Sequence, residues 1–299
     1  MTKTTLMATA VGICLLLASC GDQTMQRAEV SGYDYEVYKA TGGSLPNLGD
    51  QVYFQMDILD DKDSLLQSYR NQKVLPSITI LDTSDPMRRK NAIVDVLSYM
   101  SEGDSVGVHI PTDSIPTMPP GFEDIEYLEY RLVTTEIMTP EAHQAKIQQQ
   151  KEEAAAEAER LQTLRPEIET LSSQTLKDYK SGSLQLQTTK AGVKYVIHEM
   201  GTGDMPTQDR MLSMQYFGRT VSSGEIFDDS FGRGRSFNFR LGRREVIAGW
   251  DDAMQYFPVG TKASIFIPSD MGYGKTGSPP NIGPDEELYF YVEVEELFY

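Results

Sequence analysis

The residues whose types could support chemistry lie near the C-terminal end of the chain. Phe227 is followed by two acids, Asp228 and Asp229, and the run Glu245–Trp250 ends in the only tryptophan of the 299 residues. A carboxylate beside aromatic rings can transfer a proton or stabilise a polarised group. A lone tryptophan on a short amphipathic run is, however, often plain core. The residue types alone therefore do not decide between a chemical role and a role in core packing.

Nucleophilic and metal-assisted chemistry have little support in this sequence. The three histidines are scattered, and the two cysteines are Cys14 and Cys20. A hydrolase or a metalloenzyme needs a cluster of such groups at a defined spacing. We therefore expect neither class of enzyme, and we expect no metal and no cofactor.

Composition limits the partners further. The length suggests two domains, and the formal net charge is −17. Nucleic acids and anionic membrane surfaces are held by clustered lysine and arginine, so an acidic chain is a poor candidate for either. The remaining composition is that of an ordinary globular protein.

The first residues have the pattern of a targeting segment. The apolar run Leu6–Leu17 is too short to span a bilayer, and Leu17–Cys20 resembles the lipobox of bacterial lipoproteins. This resemblance implies a signal peptide over 1–19, lipidation of Cys20, and a polar tether over 20–43. We expect a bacterial envelope lipoprotein anchored to a membrane, most simply the outer membrane facing the periplasm. An ordinary secretory signal or a short anchor, with an incidental cysteine, is the alternative.

Residues 44–138 have mainly strand-like patterns. We predict strands around 52–56, 105–110 and 125–137, and one short helix over 91–100. Several of its residues recur later in the chain in the same order at a nearly constant offset. Gly103, Ile110, Pro111, Asp113, Pro119-Pro120 and Leu128-x-Tyr130 correspond to Gly260, Ile267, Pro268, Asp270, Pro279-Pro280 and Leu288-x-Phe290. We predict an internal duplication, with chance alignment of two β-rich domains as the alternative.

A helical segment connects the two repeats over 139–183. Thr139 and Pro140 form a good helix start, because a hydroxyl can cap the helix and proline suits its first position. We expect Pro166 to break the helix and a second helical run to end near Gly182. The apolar stripe is thin, so we interpret the segment as a polar spacer, with a homodimer contact as a further possibility.

The last segment, 184–299, alternates cleanly between apolar and other residues. Leu212, Met214 and Tyr216 share one side of a predicted strand, and three further strands show the same alternation. One short helix, at about 248–255, interrupts the strands. We expect an α+β fold in which a twisted antiparallel sheet with one apolar face wraps a short helix.

Seven runs in this segment resemble the FKBP-type peptidyl-prolyl cis-trans isomerases, in family order and spacing. They are Met214–Gly218, Gly224–Ser230, Phe237–Gly242, Glu245–Trp250, Pro258–Ala263, Ile267–Gly274 and Leu288–Glu293. The resemblance covers about 192–297. It implies the FKBP-like fold, present twice in the chain and joined by the helical linker.

The resemblance also implies residue roles. The catalytic positions would be Tyr216, Phe227, Asp228, Trp250, Tyr273 and Phe290. The substrate-binding positions would be Arg233, Phe237, Val246, Ile247, Ser278 and Ile282. Within this set, Trp250 would be the floor under a proline ring, and Arg233 would pair with Asp228. The Ile247 backbone N–H and the Tyr273 hydroxyl would donate to substrate carbonyls.

Some positions depart from the family pattern. Ser278, Asn281 and Gly283 replace residues common in the family, in the loop after Tyr273, which leaves substrate preference open. In the first repeat, the aligned residues differ throughout the site. Met56 stands at the position of Tyr216, 66–68 at that of 227–229, and Ile93 at that of Trp250. We expect the first repeat to keep the fold and to lack catalysis.

Two functions follow as expectations. The first is a membrane-anchored isomerase that assists folding by binding a twisted Xaa-Pro amide of an extended or unfolded polypeptide. The second is a chaperone or tethering lipoprotein that binds unfolded clients without catalysis, with two surfaces acting together.

Overall fold

The computed structural model describes residues 25–70, 74–115 and 124–298, which form two compact units divided between Gln144 and Ala145. Within the described residues, each unit is built on one antiparallel sheet of seven strands. The predicted signal peptide, Cys20 and the pair Pro119-Pro120 lie outside the described residues. The predictions made for them stay predictions.

The first unit contains the strands and the helix predicted over 44–138, with small shifts at their ends. It also begins earlier than predicted, because two strands of its sheet lie within the range 20–43 that was predicted to be a polar tether. Its elements are β1 (Gln26–Arg27), β2 (Asp34–Lys39), β3 (Gln51–Leu59), β4 (Leu65–Ser68), β5 (Ser77–Thr79), α1 (Pro86–Lys90), α2 (Ala92–Leu97), β6 (Ser105–Pro111) and β7 (Tyr127–Met138). The strand order is β1-β2-β6-β7-β3-β4, and β5 pairs with β3. The predicted short helix is α2, which begins where the Asn91 side chain accepts the N–H groups of Ile93 and Val94.

The second unit is built in the same way. Its elements are α3 (Pro140–Ser181, which begins before the division between the units), β8 (Gln187–Thr188), β9 (Lys194–Glu199), β10 (Met211–Thr220), β11 (Ile226–Asp229), α4 (Ser230–Arg233), β12 (Phe237–Arg240), α5 (Ala248–Ala253), β13 (Lys262–Ile267) and β14 (Leu288–Phe298). The strand order is β11-β10-β14-β13-β9-β8, and β12 pairs with β10.

The two sheets share one topology. When β8 is matched with β1 and each later strand with the next, both sheets have the same neighbours in the same order. The pairing register agrees as well, because Met56 lies opposite Leu132 while Tyr216 lies opposite Val292. Both pairs are displaced by the same number of residues along the chain. One antiparallel sheet arrangement is thus present twice.

The main core of the second unit lies between one face of the sheet and α5. Leu212, Met214 and Trp250 are almost fully buried there. The helix lies very close to β13, because a Cβ placed on Gly249 would be 2.4 Å from Cγ2 of Ile267. Glycine at this position therefore permits the approach that brings Trp250 against the sheet.

The opposite face of this sheet is also apolar, which corrects the expectation of a single apolar face. Phe217, Phe266 and Tyr289 are fully buried on it. They pack in one cluster with Leu161 and Ile168 of α3. The thin apolar stripe of α3 is therefore sufficient to cover a sheet face, and this half of the helix is part of the second unit rather than a free spacer.

The helix α3 runs through Pro166, so the predicted break is wrong. Its 42 residues form one helix that ends before Gly182, whose φ is 75°. A proline inside a helix removes one backbone hydrogen bond at a cost of about 3 kcal/mol. Here the neighbouring burial of Leu161 and Ile168 against the sheet offsets that cost. Among the described helices, none combines the length and apolarity needed to cross a bilayer.

Candidate active site

A cavity of about 220 Å³ opens in the second unit between the sheet, the segment before α5 and the loop after β13. Its lining residues are Tyr216, Phe227, Asp228, Arg233, Phe237, Glu245, Val246, Ile247, Trp250, Tyr273 and Phe290. Ten of the twelve predicted site residues are among them. A larger depression, of about 740 Å³, lies in the first unit among residues that were not predicted to act in catalysis, such as Arg27 and His109.

The floor of the cavity is the indole of Trp250. Three aromatic rings meet it edge-on, with centroid distances of 5.2 Å for Tyr216, 5.1 Å for Phe290 and 5.8 Å for Phe237. Edge-to-face packing is the favoured arrangement of aromatic pairs and restricts how each ring can turn. The result is a rigid apolar cup with room for a small ring. Within the described residues, the buried indole N–H has no acceptor.

The start of α5 leaves a donor at the edge of this cup. Ile247 has extended dihedrals, φ −61° and ψ 149°, and its carbonyl accepts the Trp250 N–H at 2.9 Å. Its own N–H has no acceptor in the part of the chain that the structure describes. A helix N-terminus commonly leaves such N–H groups for other partners. This donor can therefore bind a carbonyl of a molecule in the cavity.

One wall carries a connected group of three polar side chains. The Tyr216 hydroxyl donates to Oδ2 of Asp228 at 2.6 Å and accepts from Arg233 at 2.6 Å. Arg233 also donates to Oδ1 of Asp228, as the resemblance implied. Burial raises the pKa of Tyr216 above its ordinary value of 10.0, and the hydrogen bond to Asp228 raises it further. The phenol therefore stays protonated at neutral pH and donates to the carboxylate.

Gly218, which the sequence analysis named only as the end of the run Met214–Gly218, permits the aromatic wall beside this polar group. A Cβ on Gly218 would lie 2.7 Å from Cζ of Phe227 and 3.0 Å from Cε1 of Phe290. These two rings meet edge-on with centroids 5.4 Å apart. A larger residue on β10 would displace the ring that borders the cavity. The signal in the sequence was only a glycine inside an apolar strand, which often marks a close approach.

Tyr273 lies at the mouth of the cavity. The residue is 40% exposed, and its hydroxyl has no hydrogen-bond partner among the described residues. Partial burial raises the pKa of this phenol, and the charge of Asp228 adds to the effect. The hydroxyl is thus protonated at neutral pH and can donate a hydrogen bond to a molecule in the cavity.

Two predicted substrate-binding residues do not line the cavity. The backbones of Ser278 and Ile282 bond to each other, with N–H to carbonyl distances of 2.9 and 3.0 Å. Ile282 is buried in the core, and it is not among the residues that line the cavity. Glu245, by contrast, lines the cavity and was not predicted. Its carboxylate accepts the Arg240 N–H at 2.8 Å, a contact that no local pattern reveals.

The first unit has different residues at the corresponding positions. The register that pairs Gly218 with Asp228 pairs Ile58 with Gln67, so an amide stands at the position of the acid. Ile58 at the position of Gly218 also leaves no equivalent space for a second ring. The corresponding residue of Tyr216 is Met56, which has no hydroxyl.

Comparison with known proteins places the resemblance in the second unit. The family model of FKBP-type peptidyl-prolyl cis-trans isomerases matches residues 203–295. The 39 kDa FK506-binding nuclear protein of Drosophila melanogaster is 40% identical over 111 residues, which are 37% of this chain and 31% of that protein. A probable FKBP-type isomerase, FkpA, of Neisseria meningitidis serogroup B is 34% identical over 112 residues, 38% of this chain and 40% of that protein.

These two relatives are matched over less than half of their own length. FK506-binding protein 1 of Dictyostelium discoideum is instead covered almost completely. It is 37% identical over 103 residues, which are 34% of this chain and 95% of that protein. A nearly complete match at this identity, over the segment that holds the cavity, shows the family. The chain belongs to the FKBP-type peptidyl-prolyl cis-trans isomerases.

Proposed function

We propose that the second unit catalyses cis–trans isomerisation of Xaa-Pro bonds in extended or unfolded polypeptides. The observation that carries this proposal is the aromatic cup over Trp250 with donors at its edge. A proline ring is small, apolar and compatible in size with such a cup. The donors around it, at Ile247 and Tyr273, can hold the peptide chain on either side of the ring.

The reaction needs no covalent intermediate. The two planar forms of an Xaa-Pro bond differ by about 1 kcal/mol, but amide conjugation sets a rotation barrier of about 20 kcal/mol. An enzyme lowers this barrier by binding the twisted amide more tightly than either planar form. A twisted amide has lost conjugation and is less polar, so a dry pocket favours it. Each 1.4 kcal/mol of such preference is worth about a factor of ten in rate.

The residues divide this task. Trp250, Tyr216 and Phe290 hold the proline ring in place, so that rotation moves the preceding carbonyl. The Ile247 N–H fixes the chain beyond the proline. Asp228 borders the turning carbonyl and contributes a field rather than a proton, because no proton is transferred in the reaction.

A peptide assay tests the proposal directly. The full chain should accelerate isomerisation of an Ala-Leu-Pro-Phe-type peptide, and Trp250→Ala should remove most of the acceleration. Ile93→Ala is the matched control, because Ile93 aligns with Trp250 in the first unit. A wild-type rate equal to the uncatalysed background would reject the function. A similar loss in both variants would assign the effect to general destabilisation.

The first unit is proposed to be a degenerate copy that keeps the fold and has lost catalysis. The residues that support this are Met56, Gln67 and Ile93, which replace the tyrosine, acid and tryptophan of the second unit. Without the acid and the large rings, neither the cup nor its polar wall can form. An isolated first unit should therefore show no isomerase activity.

The proposed location is the bacterial envelope, with a lipid anchor at Cys20. The short apolar run before Leu17–Cys20 supports this, and several acyl chains at about 0.8 kcal/mol per buried CH2 would give a firm anchor. Mass spectrometry of the mature N-terminus should find a lipidated cysteine. Cys20→Ser should release the protein from membranes, and retention of that variant would count against the anchor.

Client binding without catalysis is the second candidate function. Leu65 and Leu66 are 60% and 39% exposed on the edge strand β4 of the first unit. Exposed apolar residues on a strand edge can pair with an unfolded chain. If a Tyr216/Asp228/Trp250 triple variant still suppressed aggregation of an unfolded client, binding would be the principal activity.

A further inference from the structure

We propose that Arg165, on the long helix α3, is a positioning residue for the polar wall of the isomerase site. It would act through Asp229 and the short helix α4, and α3 would thereby be a working part of the catalytic unit. This inference rests on the proposed isomerase function. It assigns a role to a residue that lies outside the segment 203–295 matched by the family model.

Two neighbouring acids on β11 point to opposite faces of the strand. Asp228 and Asp229 are consecutive on β11, and consecutive side chains of a strand point to opposite faces. Asp228 lines the cavity, while Asp229 contacts Arg165 of α3. A shift of β11 imposed at Asp229 is therefore transmitted directly to Asp228.

Arg165 approaches Asp229 with two of its guanidinium nitrogens. Its Nη2 lies 3.1 Å from Oδ2 of Asp229, and its Nε lies 3.2 Å from the same oxygen. The Asp229 side chain is only 11% exposed. A guanidinium that approaches a carboxylate with two nitrogens fixes its direction as well as its charge. The hydrogen bond with Asp229 raises the pKa of Arg165, which agrees with a tight pair.

Asp229 also holds the N-terminus of the short helix α4. Oδ1 of Asp229 accepts the N–H of Gly232 and so caps this helix. A Cβ on Gly232 would lie 3.0 Å from Oδ1 of Asp229 and 3.2 Å from Nε of Arg165, so glycine permits the close arrangement. Asp229 is thus held between the helix that it caps and the arginine that orients it.

The helix α4 ends at the wall of the cavity. Its last residue is Arg233, which donates to both the Tyr216 hydroxyl and Asp228. Gly234 follows, and a Cβ there would lie 2.7 Å from Cβ of Ala158 on α3. Two contacts with α3, at Arg165 and at Ala158, therefore bracket the segment that ends in Arg233. Its guanidinium is placed by elements outside the cavity.

Isomerase kinetics of the full chain, compared among four variants, test the role. Arg165→Ala should lower kcat about three- to tenfold while KM changes less than about twofold, because the wall acts on the turning carbonyl. Arg160→Ala is the control, since Arg160 lies on the same helix and, among the described residues, forms its ion pair with Glu157 alone, at 2.7 Å. Asp229→Asn keeps the oxygen that caps α4 but weakens the ion pair. In its background, Arg165→Ala should have little further effect.

The outcomes separate this inference from the proposed function. If Arg165→Ala folds and keeps its kcat, or if its effect adds fully to that of Asp229→Asn, the positioning role is wrong. If Arg165→Ala does not fold, Arg165→Lys tests the positioning role instead, because it keeps the charge and loses the two-nitrogen contact. A kcat of Arg165→Lys equal to that of the wild type would overturn the role.

If the wild type itself is inactive, the proposed function fails. The fluorescence emission of Trp250 then still reports on the polar wall of the cavity, and the emission spectrum should differ between Arg165→Ala and Arg160→Ala.

Discussion

The hydroxyl of Tyr216 donates a 2.6 Å hydrogen bond to Asp228. The same hydroxyl accepts from Arg233, which also donates directly to Asp228, so a neutral phenol is bonded to both members of a charged pair at the wall of the cavity. This arrangement keeps negative charge at a fixed place without a proton that moves. It is suited to a reaction in which only a dipole turns.

Replacement of the acid tests this view. Asp228→Asn keeps the shape but removes the charge and alters the bonds to Tyr216 and Arg233, so kcat/KM should fall about tenfold without vanishing. The wild-type rate should stay flat between about pH 6 and 9, because burial raises the pKa of Tyr216 and the reaction transfers no proton. A protease-coupled assay across this range checks both. A steep change in rate near pH 7 would contradict the interpretation.

The close approach at Gly218 gives a second prediction. Gly218→Ala should push the Phe227 ring by several tenths of an ångström or more, because its Cβ would lie 2.7 Å from that ring. We expect kcat/KM to fall at least about tenfold, with a smaller loss of stability of about 1–3 kcal/mol. Gly283→Ala is the control, since a Cβ there would have no neighbour within 4 Å in the part of the chain that the structure describes. Equal activity of the two variants would show that the ring position is unimportant.

Alkaline stability of the second unit is a third prediction. Burial raises the pKa of Tyr289 from 10.0 to about 12. The folded state therefore binds this proton more tightly than the unfolded state, and the resulting stability is complete below pH 10 and lost as the pH rises toward 12. At pH 11 the loss is about 1 kcal/mol. Urea unfolding should show a smaller alkaline loss for Tyr289→Phe than for the wild type. An equal loss in the two proteins would contradict the prediction.

The proline inside α3 provides a fourth prediction. Pro166→Ala restores a backbone N–H in the helix interior, so the free energy of unfolding of the second unit should rise by about 1–3 kcal/mol. The Thr170 hydroxyl, which bonds the carbonyl of residue 166 at 2.9 Å, can keep that contact. Pro140→Ala, at the first position of the helix, should bring no comparable gain. Denaturant midpoints of the two variants compare the effects, and an unchanged midpoint for Pro166→Ala would show that the proline costs nothing there.

Local sequence patterns were sufficient to predict the central strands of the second unit and the start of its long helix. Alternation predicted the central strands β10, β13 and β14, and Thr139 with Pro140 predicted the start of α3, because these signals depend on neighbours within a few residues. Ten of the twelve side chains named from the family motifs line one cavity. Their spacing along the chain reflects strands and turns whose geometry is regular.

Contacts between distant segments could not be read in the same way. Ile282 is buried, Glu245 lines the cavity and Gly218 accommodates Phe227, and each of these depends on where another element comes to lie. A short loop can turn a side chain into the core or out of it without any change in composition. Local propensity therefore does not identify the partner at such positions, even where a glycine inside a strand, as at Gly218, indicates a close approach.

The sequence by itself determined the strand pattern, the repeat and the set of aromatic residues around Trp250. Only the tertiary structure decided that α3 continues through Pro166, covers the second face of the sheet and brings Arg165 to Asp229. The physical reason is that a proline penalty and a thin apolar stripe are local quantities. Burial against a sheet, which outweighs both, arises only when α3 meets strands that come much later in the chain.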